Sequence, residues 1–316
     1  VPVFPKPGFP FVYDVATETA RLRAHKTTRL IPAKAPGTLL VATWNVANFG
    51  AQDRRDQDHR VIAEIMGWFD LVAVQEVRDN FAGLDDVRRN MGGSFQLIFS
   101  DTAGNNERMA FVYDSSKLSV LEEVGEISIP PSQERLVKLS GVRQKFEGFD
   151  RNPYLVAFRV GAANSFTFVN VHLFFGSDKP AEMGRRALEA FAVARWADQR
   201  RKSPFSFTRE LVALGDFNMP KREPGDPVFE ALRSKGLELP THSSELGSSL
   251  VDDKHYDQVA FFPGPTRDAF TGQLGVFDYD AVIFKELWET RGKKDFNAYC
   301  RYYISDHRPL WFQLGV

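Results

Sequence analysis

Along the chain, the order of apolar and polar positions predicts buried strands that alternate with amphipathic helices. Leu211-Val212-Ala213-Leu214 is a short apolar run suited to a fully buried strand; it stops at Gly215, with Asp216 and Asn218 just beyond. On an extended chain those two point the same way while Phe217 turns back into the core, and Pro220 ends the strand. Leu39 to Trp44 is a second run, ending at Asn45 and passing into a turn at Asn48-Phe49-Gly50. Leu71 to Val74 is a third and ends at Gln75-Glu76. Residues 95–100 and 108–113 read as a strand pair joined by the polar loop 101–107, and Phe166 to His172 alternates before finishing on a histidine. Further strand-like segments lie at 256–262, 273–277 and 310–314. Asp53 to Phe69 sets Val61, Ile62, Ile65, Trp68 and Phe69 on one helical face, and Ala181 to Arg200 does the same with Met183, Ala187 and Phe191. Asp226-Pro227 opens another helix by N-cap and first-position preference.

Residues 1–37 read differently. Pro2, Pro5, Pro7 and Pro10 alternate with Phe4, Phe9, Phe11 and other apolar residues, and a basic run from Arg21 to Lys34 follows. Aromatic residues are poor choices for a free tail, so 1–37 is expected to be an extension packed on one domain, 38–316. The basic run is accounted for by a solvated face.

Composition narrows the picture. A chain of 316 residues, 43% hydrophobic, buries roughly three quarters of its unfolded surface as a globular protein. Its net charge of -1 gives no global basic footprint, so a nucleic-acid partner needs a local patch or a bound cation. No apolar run approaches the ~20 residues of a membrane span, and no obligate protein partner is implied. Cys300 is the single cysteine, which excludes an intramolecular disulfide and favours a reducing compartment. A cytoplasmic location is the expectation, with secretion open if a leader has been removed.

The strand ends carry the chemistry. Asn45, Glu76, His172, Asp216 and Asn218 each follow an apolar run, and Tyr256-Asp257-Gln258 and Ser305-Asp306-His307 add the same residue types. Any one of these has an ordinary explanation as a cap, a turn or a structural histidine. Burying so many carboxylates together costs free energy unless a cation or protonated partners compensate them. Hard oxygen donors without cysteine suit Mg²⁺ or Mn²⁺ better than Zn²⁺, and two carboxylate-oriented histidines supply a general acid and a general base. A hard cation, an acid and a base together describe hydrolysis of a phosphate ester.

In Trp44–Gly50, Gln75-Glu76-Val77, Glu107–Tyr113, Val171-His172-Leu173, Gly215–Asn218, Tyr256-Asp257-Gln258 and Ser305-Asp306-His307, taken in that order, the chain resembles the endonuclease/exonuclease/phosphatase superfamily, with pancreatic deoxyribonuclease its familiar member. The resemblance covers about 38–316. It implies an α/β (α+β) four-layer αββα sandwich, with two packed, mostly antiparallel sheets, outer helices, and the site at one rim. It implies Glu76 as principal metal ligand, with Asn45 and Asp306 near the ion. Asp216 and Asn218 resemble the pair that orients attacking water and phosphate. His307 resembles a phosphate-side, base-like histidine paired with Asp257, and His172 a second catalytic histidine paired with Glu107. Arg108 and Arg151 are similar in placement to phosphate-contacting arginines; a surface salt bridge is the other reading of Arg151. Having both His172 and Glu107 resembles the deoxyribonuclease branch. The expectation is therefore a Mg²⁺- or Mn²⁺-dependent DNA endonuclease of low sequence specificity that contacts the DNA backbone. A sphingomyelinase-like or other small phosphoester hydrolase is the alternative, with a non-catalytic binding module behind it.

Overall fold

The computed structural model describes residues 3–161, 164–243, 245–252 and 254–316; Val1 and Pro2, at the head of the Pro-rich stretch, lie outside them. The order begins with α1 (Val15–Thr28), β1 (Thr38–Phe49), α2 (Asp56–Met66), β2 (Leu71–Val77), α3 (Ala82–Met91), β3 (Phe95–Phe99) and β4 (Arg108–Asp114). It continues with β5 (Leu118–Glu126), α4 (Pro131–Glu134), β6 (Tyr154–Val160), β7 (Asn164–His172), α5 (Pro180–Lys202) and β8 (Leu211–Asp216). It closes with α6 (Pro227–Arg233), β9 (Asp257–Phe261), α7 (Pro265–Ala269), β10 (Phe270–Val276), α8 (Lys285–Tyr303) and β11 (Leu310–Gly315).

The strands form a six-stranded sheet in the order β10-β11-β1-β2-β4-β3 and a five-stranded sheet in the order β5-β6-β7-β8-β9. Among the described residues only β1/β2 and β7/β8 pair in parallel; the other neighbours are antiparallel. Side chains alternate across each strand, and the alternation explains the layering. Leu39 and Val41 of β1, Leu71 and Ala73 of β2, and Val212 and Leu214 of β8 join one core between the sheets. Leu40, Ala42 and Trp44 turn the other way, onto α2, α3 and α8. Leu211 and Ala213 pack onto α5 and α6. The result is an α/β sandwich of helix, sheet, sheet and helix.

The position of the site follows from the same parity. At one end of the inter-sheet layer the apolar residues give way to Thr43 and Asn45, Gln75, Asn170 and His172, Asp216 and Asp257, all buried. Gln75 Nε2 donates to Asn170 Oδ1 at 2.6 Å and to Thr43 Oγ1 at 3.0 Å, and Asn170 Nδ2 donates to the carbonyls of Val74 and Ala110. This bonded amide pair ties the two sheets together directly beneath the polar rim.

The structure corrects several boundaries. β1 does not end at Asn45 but runs to Phe49, because Asn48 takes a left-handed backbone (φ 50°) and the register with β2 shifts there. The predicted helix 53–69 is shorter, 56–66. Asn218 is not on an extended chain; it has φ 49°, and β8 stops at Asp216, although Phe217 does turn fully into the core. The apolar spacing does not foreshadow α1, α3, β5, β6 or α8. Residues 3–13 lie against α8, with Phe11 edge-on to Tyr299 at 5.2 Å, and α1 follows under an Asp14 cap.

Candidate active site

Glu76 sits where strand parity alone would misplace it. Val72 and Val74 of the same strand face the outer helices, so an unbroken β2 would send Glu76 outward too. Its backbone instead takes φ 60°, in the left-handed region that non-glycine residues seldom adopt, and the pairing of β2 with β4 slips between Val74 and Val77. The carboxylate is thereby turned inward. Oε1 accepts from Asn45 Nδ2 at 3.1 Å, and Oε2 accepts from the Asn48 backbone N–H at 2.8 Å. Asn45 Nδ2 also donates to Asp216 Oδ2 at 3.0 Å, so one amide bridges carboxylates from the two sheets.

Two histidines converge on that same Asp216 oxygen. His172 Nε2 lies 3.6 Å from it and His307 Nε2 lies 3.8 Å from it. Each ring is backed by a carboxylate: His307 Nδ1 is 2.7 Å from Asp257 Oδ2, and His172 Nδ1 is 3.2 Å from Glu107 Oε2. The backbone of His307 is fixed as well. Trp44 Nε1 donates to its carbonyl at 2.7 Å, and Ser305 Oγ accepts from its N–H while donating to the Asn45 carbonyl. Buried Arg54 holds the chain just before this, donating to the carbonyls of Tyr303, Ile304 and Ala47.

Electrostatics follow from this crowding. Burial pulls the His307 imidazole down, but the charges of Asp257 and Asp216 and the Asp257 hydrogen bond outweigh it and hold the ring protonated well above the usual histidine range. Burial pushes the Glu107 carboxyl up, yet the hydrogen bond and charge of His172 and the charge of Arg151 bring it down to about 2. Asp216 is likewise pushed up by burial and drawn below its ordinary value by the two histidines. Asp306 is raised, by burial first and by the facing Glu76 charge.

A cleft of about 690 Å³ opens over these groups, lined by Glu76, Asp306, Asp216, Asn218, His172, His307, Arg151 and Tyr256, with Phe174 and Phe175 on one lip. Asn218 is pinned through its side-chain amide, which donates to the Leu173 carbonyl at 2.7 Å. Arg108 is not brought to the cleft. Its guanidinium points the other way, over Phe81 and toward exposed Asp79 and Asp101, because it is the first residue of β4 and falls on the opposite side from Glu107. Arg151 lines the cleft but is neither a surface salt bridge nor free to meet a phosphate. It is 3% exposed, donates to the carbonyls of His172 and Leu173, and stands 3.5 Å from Glu107. Sequence reasoning missed Arg78, which bonds the Asn48 side chain and lies 3.4 Å from Glu107, linking the Glu76 support to the His172 support. Asn170 had a visible signal, since it shares the parity of His172 in the alternating run.

A hard cation fits the donors on the Glu76 side. Asn45 Oδ1 is buried without a hydrogen-bond partner, its Nδ2 is bonded to Glu76, and the Glu76 charge faces half-buried Asp306. Among the described residues no three His, Cys, Asp or Glu side chains form an ion cage by themselves. Mg²⁺ commonly takes one or two carboxylates and completes its shell with water and substrate oxygens, which suits this sparse set.

A model of the endonuclease/exonuclease/phosphatase family matches residues 42–307. The chain belongs to that family. It is thus a phosphoester hydrolase, and family enzymes generally depend on a divalent metal. Solved structures share its fold. A mannosyl-6-phosphatase from Bacteroides thetaiotaomicron is 19% identical with a TM-score of 0.57, over 87% of this chain and 99% of that one. D. rerio TDP2 complexed with a single-strand DNA product is 13% identical with a TM-score of 0.57, over 88% and 99%. The human Nocturnin catalytic domain with bound sulfate is 15% identical with a TM-score of 0.56, over 90% and 95%. At such identities the likeness is one of fold. No curated protein matches the sequence.

Proposed function

We propose that this family member is a divalent-metal-dependent phosphodiesterase acting on the nucleic-acid backbone, DNA foremost, with little sequence selectivity. The observation that carries the reading is the convergence of two carboxylate-backed histidines on one oxygen of Asp216. A diester needs both a proton acceptor for the attacking water and a proton donor for the leaving oxygen. In this reading His307 takes the proton from water in its neutral form: Asp257 holds Nδ1 so that Nε2 faces the cleft, and the charge of a bound cation would offset the carboxylates that otherwise keep the ring protonated. Asp216 and Asn218 orient water and phosphate. His172, steadied by Glu107, gives its proton to the leaving oxygen as the P–O bond breaks. When bound by Glu76, Asn45 and Asp306, a Mg²⁺ or Mn²⁺ ion supplies charge neutralisation at the phosphoryl oxygens.

The exposed lip favours one other reading, hydrolysis of a lipid or other small phosphodiester. Phe175 is 37% exposed and Val251 50% exposed beside the cleft, an apolar edge of the kind that meets a lipid. A supercoiled-plasmid assay with Mg²⁺ and with chelator, run beside head-group release from sphingomyelin vesicles, separates the two. Nicking only in the presence of metal supports the nuclease; head-group release without nicking replaces it.

A further inference from the structure

The cleft has a second arginine that the chemistry above leaves unused. Arg301, near the end of α8, lines the same cleft as Glu76, Asp306 and the histidines. Its guanidinium lies over the ring of Phe4, 4.2 Å from the centroid, so the aromatic extension at the start of the chain reaches the active-site mouth. That extension is fastened behind Phe4: Arg291 lies 4.2 Å from the Phe9 centroid, Lys6 pairs with Asp53 at 2.8 Å, and Arg55 donates to the Phe11 carbonyl. Arg301 thus rests on an aromatic ring that the fastened extension holds in place.

Its charge is felt by Asp306, whose carboxyl it draws down, but it is not closed into an ion pair. Among the described residues no carboxylate, Asp306 included, lies within 4.0 Å of its guanidinium nitrogens, and its Nε is buried without a hydrogen-bond partner. The other arginine lining the cleft, Arg151, is spent on the backbone of His172 and Leu173 and on Glu107 and Asp150. Depth separates the two arginines: Arg151 is 3% exposed at the floor, whereas Arg301 and Phe4 are half-buried at the edge. A planar guanidinium lying over a ring keeps its in-plane N–H groups available, the arrangement in which arginine binds phosphate oxygens.

We propose that Arg301, lying over Phe4, is a mouth subsite that binds a phosphate flanking the scissile one, which directs the enzyme to substrates carrying a chain of phosphates. This deepens the reading above and rests on it. The Phe4 ring edge and the Tyr256 and Phe175 rings across the cleft, whose centroids are 6.0 Å apart, offer apolar surface to the attached sugar and base.

The test compares full-length protein with Mg²⁺ on a ten-residue thymidylate oligonucleotide and on bis(4-nitrophenyl) phosphate, which has one phosphate. In Arg301→Gln the ratio of kcat/KM for the oligonucleotide to that for the small diester falls ~10-fold, carried mainly by KM, the size expected for one lost charge-assisted contact. The salt dependence of log KM on the oligonucleotide flattens by about 0.7 in slope, one phosphate contact on a single strand. Phe4→Ala moves the ratio the same way and Phe4→Trp restores it. Should Arg301→Gln fail to fold, Arg301→Lys, which keeps the charge but loses the planar group, gives an intermediate ratio. An unchanged ratio and salt slope in the folded variant overturns the subsite. A wild-type enzyme that cleaves neither diester overturns the parent reading instead.

Discussion

His172 Nδ1 stands 3.2 Å from Glu107 Oε2, although His172 ends β7 in one sheet and Glu107 leads into β4 of the other. The proton-transfer ring is therefore oriented from across the sandwich. His172→Ala is expected to lower kcat by ~10²-fold or more, the usual cost of removing a general acid, with little change in thermal unfolding. Glu107→Gln lowers it less, since the ring remains but loses the charge that steadies it. The check is kcat on a phosphodiester with folding followed by circular dichroism; a His172→Ala enzyme at full rate removes His172 from proton transfer.

Glu76→Gln tests the metal side separately. The carboxamide keeps the size of the side chain but gives up the charge that faces Asn45 and Asp306, so the Mg²⁺ concentration for half-maximal rate is expected to rise ~10-fold or more while saturating metal recovers part of the rate. A Mg²⁺ titration decides it. An unshifted midpoint takes Glu76 out of the ion's ligand set.

What the sequence made legible was set by strand parity. β2 and β8 stand out as apolar runs because both faces are covered, and Asp216, His172 and Asp257 fall on the inner face by counting in twos from core residues. Glu76 escapes that count, since its aim depends on a left-handed backbone that no residue type announces. α8 was hidden because Gly292 breaks its helical backbone and its buried residues crowd into the last two turns, and α1 because only Glu18 and Leu22 of its face are buried. β5 reads as polar because it is an edge strand, half exposed. The arginines were misjudged for a plainer reason. Arg108 is turned away by Asp79, Asp101 and the Phe81 ring, and Arg151 is engaged by the carbonyls of His172 and Leu173, partners that their own sequence neighbourhood does not announce.

Glu189 of α5 predicts how stability responds to pH. Its carboxylate accepts the backbone N–H groups of Phe174 and Asp150, which fastens two loops at the cleft wall. Burial raises the carboxyl to about 7 against the opposing pull of those hydrogen bonds. Between the ordinary value of 4.5 and about 7 the folded protein holds a proton that the unfolded chain has released. Stability therefore falls as pH rises through that window, by ~3 kcal/mol in all, and levels off above it. Glu189→Gln has no proton to lose. Chemical denaturation at pH 5 and pH 8 is expected to show this decline in the native protein and its disappearance in the variant; equal slopes for the two proteins refute the assignment.

Asn170 offers a test of what holds the sheets in register beneath the site. It is fully buried, accepts from Gln75 at 2.6 Å and donates to the carbonyls of Val74 and Ala110, so it satisfies groups on β2 and β4 from the opposite sheet. Asn170→Leu keeps the branched shape, with a larger volume, but leaves the Gln75 amide and two carbonyls short of a partner. Each buried polar group stranded this way costs ~1–3 kcal/mol, only partly recovered by the added apolar contact. A loss of ~2–4 kcal/mol is expected in denaturant unfolding, and catalysis should fall with it because Asn45 and Gln75 lie in the same inter-sheet layer. The double variant Gln75→Leu with Asn170→Leu removes donor and acceptor together and is expected to be more stable than Asn170→Leu alone. If the double variant instead loses the sum of the two single effects, the pair is not a coupled inter-sheet bond and the register is held by the apolar core.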